Sequence, residues 1–314
     1  MTHKLFIFLT TVLFSISLNA QDKNYEEWYL KTNDKQDIFV KELGTGKDTI
    51  IVVHGGFGAN HDYMTDIAKG LENKYHFIFY DQRGSLLSWV PDSLITFQKN
   101  VEDLYYLTKA LKLKKVKLLC HSMGTLLGME FQKQYPDVIE KLVLVGSIFI
   151  KSDSAQTIFS KQMEKNIEWL ITQKKYTDLI AKYEKRKEKL SDKEKTEFWR
   201  IQFAGANIYN IDKWNLMKGG QAYYNPNTGS LMSNSFDFNY DYSTSLTKTK
   251  FNVTLIQGQY DFLDFEANKH KQLIGRLPIN IVVIKNAGHN IWIDQPKQFK
   301  RELIRAISSK NANR

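Results

Sequence analysis

Apolar and polar positions along the chain follow two alternating periods. Continuous apolar runs rich in β-branched and aromatic residues occur at 48–53, 75–80, 116–119, 139–145, 251–256 and 280–284. Such runs mark strands buried on both faces of a parallel sheet. Two shorter stretches, Trp28-Tyr29-Leu30 and Ile38-Phe39-Val40, read as strands joined by the polar turn Thr32-Asn33-Asp34. Between the long runs the period changes to that of a helix. Val101, Leu104, Tyr105, Leu107 and Leu111 share one face, and helices are expected over 62–71, 101–111, 125 to near Pro136, 265–274 and 296–308. Strands alternating with helices imply an α/β class, a mostly parallel sheet with helices on both faces.

The alternation breaks over 149–250. Phe159, Met163, Ile167, Leu170 and Ile171 form one helical stripe, and Leu179, Ile180 and Tyr183 another. Phe198-Trp199, Phe203, Ile208-Tyr209 and Trp214 make an aromatic-rich patch, and 219–245 is loop-like. This span reads as a helical cap inserted between a first core part, 21–148, and a second, 251–314.

Composition narrows the class. Apolar residues make up 42% of the 314 residues, enough for a large core. The single cysteine, Cys120, excludes an internal disulfide framework and a cysteine metal cluster. The net charge of +10 comes from lysines interleaved with glutamates, as in Lys182-Tyr183-Glu184-Lys185, the mark of a solvated helix face rather than a nucleic-acid surface. Residues 1–20 have the layout of a secretory signal peptide. Lys4 precedes an apolar stretch from Leu5 to Leu18, and Ala20 precedes the cut. The stretch is shorter than the ~20 residues that span a bilayer. An exported, periplasmic or secreted protein is expected.

The strand at 116–119 runs into Cys120-His121-Ser122-Met123-Gly124 and then a helix. A serine with small residues two positions to either side, at a strand-to-helix switch, has the form of a nucleophile elbow, with Cys120 in place of the usual first glycine. Such a serine needs a base, and the base an acid. His54 belongs to a glycine-rich turn, His61 and His76 have no supporting acid at a strand end, and His270 lies in a charged helix. His289 follows the last strand after Ala287-Gly288 and is the expected base. Asp261 follows Gly258-Gln259-Tyr260 and is the expected acid, with Asp264 as the fallback. The Met123 N–H and that of Gly56 or Phe57, in His54-Gly55-Gly56-Phe57-Gly58, are the expected oxyanion donors.

These residues resemble the α/β-hydrolase superfamily, and within it the proline iminopeptidase-like serine peptidases. That group pairs a His-Gly-Gly-X-Gly turn with an Asp-Gln-Arg-Gly turn one strand later, here His54 to Gly58 and Asp81 to Gly84. The order Ser122, Asp261, His289 is also that of α/β-hydrolases. The resemblance implies an α/β-hydrolase fold with a helical cap and a serine hydrolase acting on a small-molecule or short-peptide substrate. It implies no metal, organic cofactor or nucleic acid. An aminopeptidase is the leading expectation, a carboxylesterase or lipase-like enzyme the alternative, and a non-catalytic binding protein on the same fold a third reading. Those peptidases hold the substrate's amino group with a cap glutamate beside a tryptophan pair. Here Phe198-Trp199-Arg200 is the nearest stretch, preceded by Glu197. Trp199, Phe203 and Trp214 are expected to line an apolar pocket, and Arg83 to knit loops rather than touch substrate.

Overall fold

The computed structural model describes residues 25–309 except 153–154, 221–223 and 276, so the expected leader lies outside the described residues. The apolar runs assemble into one eight-stranded sheet. Its strands are β1 (Tyr25–Lys31), β2 (Asp37–Leu43), β3 (Asp48–Val53), β4 (Tyr75–Tyr80), β5 (Val116–His121), β6 (Ile139–Val145), β7 (Val253–Gly258) and β8 (Ile279–Ile284). They lie in the order β1-β2-β4-β3-β5-β6-β7-β8. β2 runs antiparallel to β1 and β4, and every other neighbouring pair is parallel.

The pleat sorts each strand between two apolar layers. Ile51 and Val53 enter one and Ile50 and Val52 the other, as a period of two requires. The first layer is covered by α1 (Phe97–Ala110) and α2 (Gly124–Gln134). The second is covered by α9 (Pro296–Ser308), which buries Phe299, Leu303 and Ile307. Full burial of each such side chain contributes about 1.5–3 kcal/mol.

Three helices differ from expectation. α1 starts at Phe97, four residues before 101, because the Thr96 side chain accepts from Lys99 N and caps it. The segment expected as a helix over 62–71 is a 3-10 helix, Asp62–Ile67, followed by turns. Its buried residues Met64 and Ile67 are three apart, the period of that tighter helix. The 265–274 helix is interrupted. A 3-10 turn, Phe265–Ala267, meets α8 (Asn268–Ile274) through left-handed Glu266 and Ala267.

The inserted span divides in its packing. α5 (Asp192–Asn207) stands over the carboxyl edge of the sheet, and α3 (Ala155–Thr172) and α4 (Lys174–Glu184) pack against it. Tyr183, Leu190, Phe198 and Ile201 form their own small core, and a Ser191–Glu194 capping box starts α5. Ile167 and Ile171 of the expected stripe are exposed, whereas Leu170 is buried. The stretch that reads as a loop contains α6 (Pro226–Asn234) and α7 (Ser243–Thr247). Met232, Phe236, Tyr240, Tyr242 and Leu246 from this stretch join the first layer of the sheet core.

Arg83 is fully buried and bridges two carboxylates. Nε and Nη2 reach Asp103 on α1 at 2.6 and 2.8 Å, and Nη1 and Nη2 reach Asp34 at 2.8 Å each. Its hydrogen bond to Asp34, the largest influence on that carboxyl, holds it below the ordinary carboxylate range. The arginine thus ties the β1–β2 turn to α1. Removing it strands the Asp103 charge in the interior, so Arg83→Met should cost about 3–5 kcal/mol in urea unfolding. A loss below about 1 kcal/mol would contradict a buried, structural pair.

Candidate active site

β5 carries Ser122 out of the sheet in a left-handed conformation, φ 51°. For a non-glycine residue this costs on the order of 1–3 kcal/mol and is sustained only by its surroundings. Ser122 N donates to Val145 O at 3.0 Å. Its carbonyl accepts from Thr125 N and from Thr125 Oγ1, at 2.9 and 2.6 Å. Close approach explains the neighbouring residues. A Cβ on Gly124 would lie 2.4 Å from His54 O, and one on Gly55 2.5 Å from the Ser122 Cβ. Cys120 occupies the position where the motif has glycine, and its thiol faces Gly128 of α2, where an added Cβ would stand 2.4 Å from Sγ. The missing space is therefore restored on the opposing helix. Burial pushes the Cys120 thiol up, so it is an inert spacer.

The loops after β7 and β8 carry Asp261 and His289. His289 Nδ1 lies 3.0 and 2.9 Å from the two Asp261 oxygens, and both residues are buried. Nδ1–H donates to the carboxylate, which leaves the Nε2 lone pair free to accept a proton. Asp261 also accepts from Leu263 N at 2.9 Å. Room for the pair comes from Gly146 after β6, where a Cβ would fall 2.8 Å from His289 Nδ1. Asp264 has separate work. Its carboxylate accepts from Lys269 N and His270 N and meets His270 Nδ1 at 2.7 Å, holding the start of α8.

The other weighed histidines are engaged elsewhere. His76 pairs with Glu42, and His61 with Asp81. His54 joins the two glycine-containing turns. Its Nε2 accepts from Gln82 N at 3.1 Å, and Gln82 Nε2 donates to His54 O at 2.7 Å. Burial pushes its imidazole down to about 4, so it stays neutral.

Ser122, Met123, Gly55, Gly56 and His289 line a cavity of about 620 Å³ beneath α5. The structure distributes the expected residues as follows, and moves Trp214 off the pocket. The Phe57 ring packs in the core, 6.1 Å from Phe97, and of the two alternative donors Gly56 is the one on the cavity wall. Trp199 and Phe203 of α5 line the cavity, stacked at 4.9 Å, whereas Trp214 packs against the cap core and the second layer. Glu197 faces away, bonded to Tyr183 Oη at 3.0 Å. Among the described residues no cap carboxylate lines the cavity. Its charged groups are Asp62 from the body and Lys218, whose Nζ is bound to Thr65 and Asp66 at 2.6 and 3.2 Å.

Sequence reasoning missed several residues of this wall. Phe262 sits 4.7 Å from the His289 ring, and Asn290 follows His289 into the lining. Tyr63 and His121 also line it. Asp294 accepts from Tyr209 N, Asn210 N and Gly288 N at 2.7, 3.0 and 2.8 Å, tying the end of α5 to the His289 loop. Its position five residues after His289 was the available signal, since a buried carboxylate needs donors nearby. Among the described residues no helix is long and apolar enough to cross a membrane, and no group of three or more His, Cys, Asp or Glu side chains is placed to hold a metal ion.

Comparison with known proteins agrees with this architecture. Residues 48–296 match the α/β-hydrolase fold family. The chain is 31% identical over 129 residues to the proline iminopeptidase of Lactobacillus crispatus, covering 40% of this chain and 42% of that protein. It thus spans less than half the length of that curated relative. A proline iminopeptidase-related protein from Thermus thermophilus superposes with a TM-score of 0.68 at 19% identity, covering 90% of this chain and 97% of that one. A thermophilic esterase from Thermogutta terrifontis gives 0.65 at 18%, covering 90% and 100%.

The strain at Ser122 has a measurable sign. Glycine adopts φ 51° without steric cost, so Ser122→Gly should unfold at higher urea than Ser122→Ala, by about 1 kcal/mol. Equal stabilities would show that the turn carries no strain.

Proposed function

The chain belongs to the α/β-hydrolase fold family, and on that premise we propose that it is a serine hydrolase in which Ser122, His289 and Asp261 act as a catalytic triad. The observation that carries this reading is the strained Ser122 sharing one cavity wall with His289, whose other ring nitrogen is held by buried Asp261. Ser122 Oγ attacks the substrate's acyl carbon while His289 Nε2 takes its proton. Asp261 fixes the imidazole tautomer and stabilises the imidazolium. The Met123 and Gly56 N–H groups bind the oxyanion of the tetrahedral intermediate, which collapses as His289 protonates the leaving group. Water, deprotonated by the same histidine, then releases the acyl group from Ser122.

The cavity wall favours an uncharged, apolar acyl group. Trp199, Phe203 and Phe262 offer aromatic surface, and among the described residues no cap carboxylate lines the cavity to meet a free amine. This supports a reading in which the substrates are esters or amides with an apolar acyl part, as for a carboxylesterase, over the aminopeptidase reading. The second reading keeps a specific support. Curated relatives are proline iminopeptidases, and Asp62 is a carboxylate on the wall that can meet an ammonium group. The apolar segment 5–18 further supports an exported enzyme, whose mature N-terminus would be Gln21 by protein sequencing of the envelope or secreted fraction. An intact Met1 in that fraction would refute cleavage.

Substrate class is read by paired assays. Short-chain p-nitrophenyl esters should be turned over faster than prolyl-naphthylamide, and Ser122→Ala should lose at least about a thousandfold in kcat. A fluorophosphonate probe should label the wild type and not Ser122→Ala; equal labelling would sink the serine mechanism. Faster cleavage of the prolyl substrate, lost in Asp62→Asn, would establish the aminopeptidase instead.

A further inference from the structure

Three loops meet at Ser122: the glycine-rich turn after β3, the elbow after β5 and the His289 loop after β8. We propose that Tyr63 and His121 are positioning residues that bridge these loops through a directed hydrogen-bond relay and hold the oxyanion turn and the base in register. The proposal rests on the serine-hydrolase reading above.

The relay is continuous. Gly55 N donates to Tyr63 Oη at 2.8 Å, Tyr63 Oη meets His121 Nδ1 at 2.7 Å, and His121 Nε2 meets His289 O at 3.3 Å. Both ends are backbone groups of fixed polarity, which sets the proton directions. A carbonyl can only accept, so His121 Nε2 carries the hydrogen and donates to His289 O. Nδ1 of the neutral ring is then an acceptor, and the Tyr63 hydroxyl donates to it while accepting from Gly55. The opposite tautomer would set a lone pair against the His289 carbonyl and leave the hydroxyl hydrogen without this acceptor. One arrangement therefore satisfies each member.

Each end matters to the proposed chemistry. Gly55 immediately precedes Gly56, a proposed oxyanion donor, so the Tyr63 hydroxyl holds the His54–Gly55 peptide, the one next to the peptide that carries that donor. His289 O belongs to the base itself. His121 lies between them as the residue before the nucleophile, with its ring 4.5 Å from the His289 ring. A neutral His121 is required there, because His289 becomes an imidazolium during turnover. The groups facing His121 are Tyr63, His289 and, farther off, His54, with Trp292 closing one side at 4.9 Å. No carboxylate is among them. Burial, with the adjacent His289, holds His121 well below the ordinary histidine range. The 3-10 form of Asp62–Ile67 is part of the device, since it sets Tyr63 on the cavity wall while Met64 and Ile67 point into the core.

The test removes the hydroxyl and keeps the ring. Tyr63→Phe should lower kcat on the best ester by about 10–100-fold, less than deletion of an oxyanion donor itself, with KM changed by less than about threefold. Affinity for a boronic acid that forms a tetrahedral anion on Ser122 should fall by the same factor as kcat/KM. An unchanged kcat, or a loss carried by KM alone, would overturn the proposal. His121→Gln keeps a donor toward His289 O and should retain more kcat than His121→Leu; equal kcat in the two would also overturn it. Long-range 1H–15N NMR of the resting wild type supplies a readout independent of activity and of any variant's folding. His121 should show the neutral Nε2–H tautomer, unchanged between pH 5 and 8, and an Nδ1–H tautomer or an imidazolium would refute the relay. Failure of the serine-hydrolase reading shows up separately, as retained activity in Ser122→Ala.

Discussion

The close passage of the β3 carboxyl end against the elbow after β5 is the constraint on which the rest of the structure depends. At this crossing His54 O, the Gly55 backbone and the Ser122 Cβ occupy nearly the same space. No side chain fits at Gly55 or Gly124 without displacing backbone. The crossing forces Ser122 into a left-handed turn, and that turn starts α2 directly beneath the cavity. Strain of this kind persists only when the surroundings over-determine it. Here they do so through β6, which binds Ser122 N, and through Thr125, which binds its carbonyl and supports Ile148 N.

From that crossing the site is built by loops that brace one another. His54 and Gln82 lock the first turn to the second, and Arg83 anchors the second to α1 and to the β1–β2 turn. On the other side Gly146 makes room for the Asp261–His289 pair, and Asp294 ties that loop to the end of α5. Asn290 N donates to Asn207 O at 2.7 Å at the same junction. The end of α5 and the His289 loop are therefore joined by several hydrogen bonds.

α5 and its neighbours form the cap side of the cavity wall. Their contribution is aromatic surface, two amides from Gln202 and Asn207, and a lysine whose charge Asp66 offsets. In the proposed enzyme the oxyanion turn and the His–Asp pair supply acyl transfer, and the cap selects the acyl group. Chemistry and selectivity thus reside in different layers of one fold, as α/β folds commonly arrange them.

Much of this was legible in the sequence because period-two and period-3.6 patterns report burial directly. The eight strands, the final helix over 296–308 and the elbow at Ser122 follow from which positions are apolar and where glycines punctuate them. The strand-end positions of Asp261 and His289 follow too, since a parallel sheet delivers consecutive strand ends to one edge. What remained hidden depends on contacts between distant segments. Gly128 replacing the space denied by Cys120, Glu197 turned toward Tyr183, Trp214 packed in the cap core and Tyr63 bonded to His121 have no local signature. The 3-10 turn at Asp62–Ile67 was missed because a pair of buried residues three apart fits either helix. The sequence alone determined the sheet, its edge and the residue types brought there, because backbone period and sterics are local. Tertiary structure decided which side chains face the cavity and which proton each histidine holds, because both are set by partners far away in the chain.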